Sequence, residues 1–231
     1  MKIIDAHGHI DYITCDIQRD VVGMICCATN ESDWDKIVNL MMQNNCVYGA
    51  FGIHPWFVDT VNDNFIKSLR VLLESNPCYM IGEIGLDKYK PNMEKQMDIF
   101  IQQFDLATEL HRTMFLHCVG AWDKILHVLK QYKKSELPII VVHDFNENQD
   151  ITNKLLQYEN VVFSFGKNAL YGKNCRIAQI PSNRILVESD GKIDIVLTDV
   201  IEKIANIKDD ANIPDIIYNN TKRIMNNGQI K

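Results

Sequence analysis

The decapeptide KIIDAHGHID at positions 2–11 puts two histidines and two aspartates into a segment otherwise composed like a buried strand. In an extended chain alternate side chains share a face, so Asp5, His7 and His9 lie on one side and Ile4, Ala6 and Gly8 on the other. Two imidazoles brought to one point suit a metal ion. A strand with one wet face alternates in the same way, so residues elsewhere must decide. His54 stands in FGIHPW, Glu83 in IGEIGLD, His117 in FLHC, His143 in VVHDF and Asp190 in LVESD, each at or near the downstream end of an apolar run.

Ionisable groups set into apolar strands need partners, because burying an unpaired charge is costly. Four histidines and two carboxylates, His7, His9, His117, His143, Glu83 and Asp190, suit zinc, manganese or iron better than calcium. Six ligands exceed the three that one catalytic zinc takes from protein, so two metals with a bridging carboxylate fit better. The competing explanation is that these groups pair with one another. His54 reads either as a substrate contact or as a turn residue before Pro55. Asp87, two residues past Gly85, either reaches the pocket or holds a loop.

The elements that would position these groups are eight short β-branched runs: KIIDAH, VGMICCAT, VYGAFGIH, CYMIGEIG, TMFLHC, PIIVVHDF, VVFSFG and RILVES. Several are nearly continuous apolar runs, as expected of parallel strands covered on both faces. Helical periodicity separates them. Over residues 93–111, Met93, Met97, Phe100, Ile101, Phe104, Ala107 and Leu110 recur on one face, with Asn92 as the N-cap. In WDKILHVLKQY the stripe is Trp122, Ile125, Leu126 and Leu129, which leaves His127 in solvent; His111 belongs near a helix C-terminus. A last helix places Ile216, Ile217, Tyr218, Thr221 and Ile224 on one side. Strands alternating with helices predict a TIM-type (β/α)8 barrel, possibly distorted, formed by residues 1–231 as a single domain. In such a barrel functional groups gather at the C-terminal strand ends.

Composition narrows the classes further. Of the 231 residues 46% are hydrophobic and 23% charged, which excludes a disordered or fibrous chain. The apolar runs are strand-sized, too short to span a membrane, and Asp5 and His7 interrupt any signal-peptide core. A cytoplasmic location is expected. The seven cysteines, Cys15, Cys26, Cys27, Cys46, Cys78, Cys118 and Cys175, lack paired C-x-x-C spacing and read mostly as reduced, buried hydrophobes. A net charge of −6 argues against a broad phosphate-binding surface, so nucleic acid would be held locally. Metal ions in a cleft would supply local positive charge.

The motifs DAHGHID, GIHPW, IGEIGLD, FLH, VVHDF and RILVESD, in that order, resemble those of the TatD-like metal-dependent hydrolases of the amidohydrolase superfamily. The resemblance spans nearly the whole chain. It implies a barrel with two divalent cations (zinc, manganese or magnesium), His7, His9, Glu83 and Asp190 holding one, and Glu83, His117 and His143 the other. Glu83 would bridge, and His54 and Asp87 would line the substrate pocket. It also implies hydrolysis chiefly of DNA phosphodiesters, in a 3'-5' exonuclease manner, while the six strand-end ligands themselves suit hydrolysis by a metal-bound hydroxide with Asp190 as general base and acid. A small phosphoester, carboxylester or amide is the alternative substrate, and a metal-holding binding module without catalysis the alternative class. No obligate protein partner is evident. Two departures stand out: Val119 replaces the arginine the family usually has two positions after the fifth-strand histidine, and DGKIDI replaces a proline-containing segment after Asp190. The first removes a cationic phosphate contact.

Overall fold

The computed structural model describes residues 1–171 and 176–226. Eight strands, β1 (Ile3–Gly8), β2 (Val21–Cys27), β3 (Val47–Phe51), β4 (Met80–Asp87), β5 (Met114–Val119), β6 (Ile140–Val142), β7 (Val161–Phe165) and β8 (Ile185–Val187), form one sheet in sequential order. Every neighbouring pair from β1/β2 to β7/β8 is parallel. The sheet closes almost completely on itself, giving the (β/α)8 barrel that the alternation of elements predicts. At the seam between β8 and β1 the Asp190 amide donates to the His7 carbonyl at 2.9 Å. The Asp5 carboxylate joins them too, accepting from the Ser189 amide at 2.9 Å and the Ser189 hydroxyl at 2.7 Å.

The crossover segments are uneven. Long helices follow β2, β3 and β4, α2 (Glu31–Gln43), α3 (Phe65–Ser75) and α4 (Met93–Glu109), and the eight-residue α5 (Trp122–Leu129) follows β5. The α-helices after β1 and β7 are short, α1 (Thr14–Ile17) and α7 (Lys167–Tyr171), and α6 (Gln149–Leu156), like α5, has eight residues. Two helices, α8 (Leu197–Lys208) and α9 (Ile213–Met225), end the described fold. None of the helices is long and apolar enough to cross a membrane, among the described residues.

The parallel strands are buried on both faces, which is why their sequences read as near-continuous apolar runs. One cluster, including Ala6, Ile25, Ala50, Phe115, Val141, Val162 and Leu186, fills the barrel. A larger one lies between the sheet and the helices, with Phe100, Phe104, Ile125, Leu129 and Ile201 from the helical layer. Ile224 of α9 joins the inner cluster, and its carbonyl accepts from the Thr113 hydroxyl at 2.8 Å, so α9 packs at the strands' N-terminal end, opposite the candidate site.

Some local expectations need correction. Asn92 holds the N-cap position of α4, its carbonyl accepting from the Gln96 amide at 2.9 Å, but its side chain makes no capping bond: the backbone is left-handed (φ 60°) and the side-chain amide donates to the Asp59 carboxylate. Cys15 and Cys46 are joined in a disulfide, and Cys78 is exposed, so the reduced, buried reading holds only for Cys26 and Cys27, with Cys118 half-buried. Cys175 and residues 227–231 of the expected last helix lie outside the described residues. Face alternation also fails at Asp5. The β1 register shifts between Asp5 and Gly8, and Asp5 turns to the seam, where it also accepts from Thr14 Oγ1 at 2.9 Å.

Candidate metal centre and substrate cavity

Glu83 sits in the middle of β4, not at its end as the apolar run suggested, because β4 continues to Asp87. Gly85 makes this position useful. Its φ is +147°, and a Cβ there would lie 1.8 Å from the His117 carbonyl, so only glycine lets β4 run this close to β5. That approach brings Glu83 against His117.

The two oxygens of Glu83 each collect a set of donors. Oε2 lies 3.3 Å from His7 Nε2 and 3.7 Å from His9 Nε2. Asp190 Oδ1 completes this group at 3.8 Å from His7 Nε2 and 3.5 Å from His9 Nε2. On the other side, Oε1 is 2.8 Å from both His117 Nδ1 and His143 Nε2, which are 3.1 Å from each other, and 3.3 Å from His54 Nε2. Strands β1, β4 and β5 and the segments just after β1, β3, β6 and β8 thus bring together around one carboxylate residues up to 183 positions apart. The strand-end principle accounts for this gathering.

Neighbouring groups set the orientations. His9 Nδ1 faces the Cys27 carbonyl at 3.1 Å, which leaves Nε2 for Glu83 and Asp190. Asp190 and Asp144 both adopt left-handed backbones (φ 53° and 42°), which aspartate tolerates better than most residues. Glu188, fully buried, accepts from the Asp144 amide at 2.6 Å and stands 3.4 Å from His143 Nδ1. LVESD carries two acids, Glu188 and Asp190, two positions apart just past β8; this spacing is the sequence signal for Glu188, which the motif reading centred on Asp190 leaves out.

Charges within the cluster are strongly coupled. Burial disfavours the Glu83 carboxylate, but the charges of His143, His54 and His7 and the hydrogen bond with His117 outweigh it and hold its pKa well below the usual range. Burial likewise opposes charge on His9, yet the hydrogen bond to Asp190 and the charge of Glu83 push its pKa up to about 9. His143 is raised in the same way by Glu83 and Glu188. His54 goes the other way: burial dominates and lowers its pKa, against the opposing pull of the Glu83 carboxylate.

Such an arrangement fits divalent cations. His7 Nε2, His117 Nε2, His143 Nδ1 and Glu188 Oε2 are buried with no hydrogen-bond partner. Three overlapping sets of donor atoms close enough to share an ion occur here, His7/His143/Asp190, His7/His9/Glu83 and His54/Glu83/His117. Imidazole nitrogens mixed with carboxylate oxygens are ligands for zinc- or manganese-like ions.

A cavity of about 780 Å³ opens above Glu83. Among the described residues its walls include five carboxylates, Asp11, Asp33, Glu83, Asp144 and Asp190, and two lysines, Lys36 and Lys192. Val119 is on this wall, as expected of the position without its arginine. A cation enters from another loop: Lys192, in the divergent DGKIDI segment, binds Asp190 Oδ2 and lies 3.9 Å from Asp144 Oδ2. His54 lines the cavity, and its Nδ1 also accepts from the Trp56 amide at 3.1 Å, so it serves the turn before Pro55 as well. Asp87 stands beneath the wall. It accepts from Trp56 Nε1 at 2.8 Å and from the Tyr89 amide at 2.9 Å, and its Oδ2 is 4.0 Å from His117 Nε2.

Two buried glutamines of α4 hold the loops that carry these residues. Gln103 brackets Ile53, accepting from its amide at 2.7 Å and donating to its carbonyl at 3.2 Å. Gln96 does the same for Asp87, at 2.9 and 3.1 Å. Neither is visible in an apolar periodicity, because both are polar residues on the buried face of the helix.

The family model for TatD-related DNases matches residues 4–226. The chain belongs to that family. It is a TatD-type metal-dependent hydrolase. Among its relatives is an uncharacterized metal-dependent hydrolase, YjjV, of Escherichia coli, 26% identical over 208 residues that cover 82% of this chain and 79% of the relative. The solved YjjV structure superposes with a TM-score of 0.82 at 24% identity, covering 96% of this chain and 97% of the other, and so shares the barrel. The 3'-5' ssDNA/RNA exonuclease TatD of Erwinia amylovora is 29% identical over 181 residues, 75% of this chain and 69% of the relative. The 3'-5' RNA nuclease TATDN2 of Homo sapiens is 28% identical over 165 residues. That match takes in 68% of this chain but 21% of the relative's length.

Proposed function

We propose that one barrel domain holds two divalent cations and hydrolyses phosphodiesters at the ends of single-stranded nucleic acid. The observation that carries this reading is the pair of donor sets on the two oxygens of Glu83. His7, His9 and Asp190 would hold one ion, His117 and His143 the other, and Glu83 would bridge. The ions, zinc, manganese or magnesium, would lower the pKa of water and stabilise charge on the phosphoryl oxygens and the leaving oxygen.

The protein's own groups do the rest. Asp190 accepts the proton of the attacking water and returns it to the leaving oxygen. Lys192 holds Asp190 by its second oxygen, which keeps Oδ1 turned to the cluster. His54, on the cavity wall, is placed to bond a phosphoryl oxygen. The acidic lining repels anions from the metal-free cavity, so loading with cations is what admits a phosphate. Relatives named as a 3'-5' ssDNA/RNA exonuclease and as a 3'-5' RNA nuclease favour a nucleic-acid substrate over a small ester.

The test is hydrolysis by metal-reconstituted protein of single-stranded DNA, double-stranded DNA, RNA and small chromogenic esters, with Asp190→Asn as control. Cleavage of single strands from the 3' end, lost in the control, is expected. Turnover of the small esters alone would overturn the nucleic-acid reading. A salt titration adds to this, since phosphate contacts weaken with salt and small neutral esters do not.

A further inference from the structure

The rim of the cavity carries an aromatic residue with no role in the cluster around Glu83. Of the three tryptophans, Trp34 and Trp122 are 7% and 6% exposed, whereas Trp56 is 54% exposed and borders the cavity. Its exposure is not looseness. Trp56 Nε1 donates to Asp87, whose carboxylate also accepts from the Tyr89 amide and whose own amide donates to Gln96. The His54 ring meets the indole edge-on at 5.1 Å and the His117 ring lies 6.4 Å away, so the indole is one imidazole removed from Glu83.

Lysines accompany the aromatic surface. Lys90 Nζ sits over the indole at 4.1 Å, and Lys88 Nζ sits 5.3 Å from the ring centre of Tyr89, which is 75% exposed. A fixed, exposed π-face beside ammonium groups, at the lip of a hydrolytic site, matches a ligand that joins a flat ring to a negative charge. We propose that Trp56, with Lys90 over it, is a stacking subsite for one unpaired nucleobase next to the scissile phosphate. This rests on the phosphodiesterase reading above and deepens it. Asp87 is then a positioning residue that sets the plane of the indole. A base in a duplex is already stacked and paired, so the subsite favours single strands, and it tolerates any base because each has a π-face.

The experiment compares kcat/KM, with metal-reconstituted protein, on a single-stranded oligonucleotide and on two copies made abasic on either side of the scissile phosphate. Wild-type protein is expected to favour the intact strand over one of the abasic strands by about fivefold or more, the range of a single base–aromatic stack. In Trp56→Ala the ratio is expected to fall toward one, while Trp56→Phe, which keeps a ring but loses the Asp87 hydrogen bond, retains most of it. A structural role alone would slow all substrates together and leave the ratio intact. An unchanged ratio in Trp56→Ala, with wild-type cleavage intact, overturns the stacking subsite alone. Absence of wild-type cleavage on all three strands overturns the phosphodiesterase reading, and the subsite with it.

Discussion

The two oxygens of Glu83 have unlike surroundings. Oε2 faces His7 and His9, with Asp190 across from them, all held at the seam where β1 meets β8. Oε1 faces imidazoles only, His117 and His143 at 2.8 Å and His54 at 3.3 Å, with Glu188 behind His143. One side therefore combines nitrogen donors with a second carboxylate that can take up a proton; the other is crowded with nitrogen and buttressed by an acid outside the cluster. On the proposed two-cation reading a single carboxylate would support two unequal half-sites, each expected to be disabled separately.

Removing what they share has the largest expected effect. Glu83→Ala should lose both ions and slow hydrolysis by about 10³-fold or more, the several kcal/mol that metal ions contribute. Metal content after dialysis and turnover of the same preparation measure this, and two retained ions with full activity would end the bridging assignment. Asp190→Asn attacks the Oε2 side alone. It should lower kcat by about 10²- to 10⁴-fold as a lost general base and leave the His117/His143 ion bound. Losing both ions would mean that the half-sites are not separable.

Glu188→Gln is aimed at the Oε1 side from behind. Groups that orient a ligating histidine are worth about 10- to 100-fold in metal affinity, so titration should show one ion weakened and the other unchanged. The smallest effect is in pH. His9, with a pKa of about 9, is protonated at neutral pH in metal-free protein, so metal uptake should release a proton, read by calorimetry in buffers of different ionisation enthalpy. The sign for stability follows. A histidine raised from 6.5 stabilises the metal-free fold fully below pH 6.5, and that contribution is lost as pH rises through about 9. Thermal unfolding of metal-free protein should weaken across that window, and loaded protein should not follow it.

Much of this was legible in the linear chain. The eight apolar runs mark the eight strands to within a few residues, because strands buried on both faces must be apolar throughout. His7, His9, Glu83, His117, His143 and Asp190 stood out because ionisable groups in such runs are anomalous. Other features left no such mark. Gln96 and Gln103 look like ordinary polar helix positions, yet they bracket the backbones of Asp87 and Ile53. Asp5 looked like a companion of His7 by parity, and a register shift in β1 turned it to the seam. Cys15 and Cys46, 31 positions apart, showed nothing that would pair them.

The sequence by itself determined the alternation of strands and helices, the family, and which residue types are available for metal-dependent hydrolysis, since these depend on local pattern and motif order. Only the tertiary structure decided that His54 joins His117 and His143 on one oxygen of Glu83, that Lys192 stands beside Asp190, and that Trp56 is held open at the lip. Those are relations between side chains far apart in the chain. They follow from barrel closure, from the tight approach of β4 to β5 at Gly85, and from the hydrogen bonds that fix each loop, none of which a local pattern records.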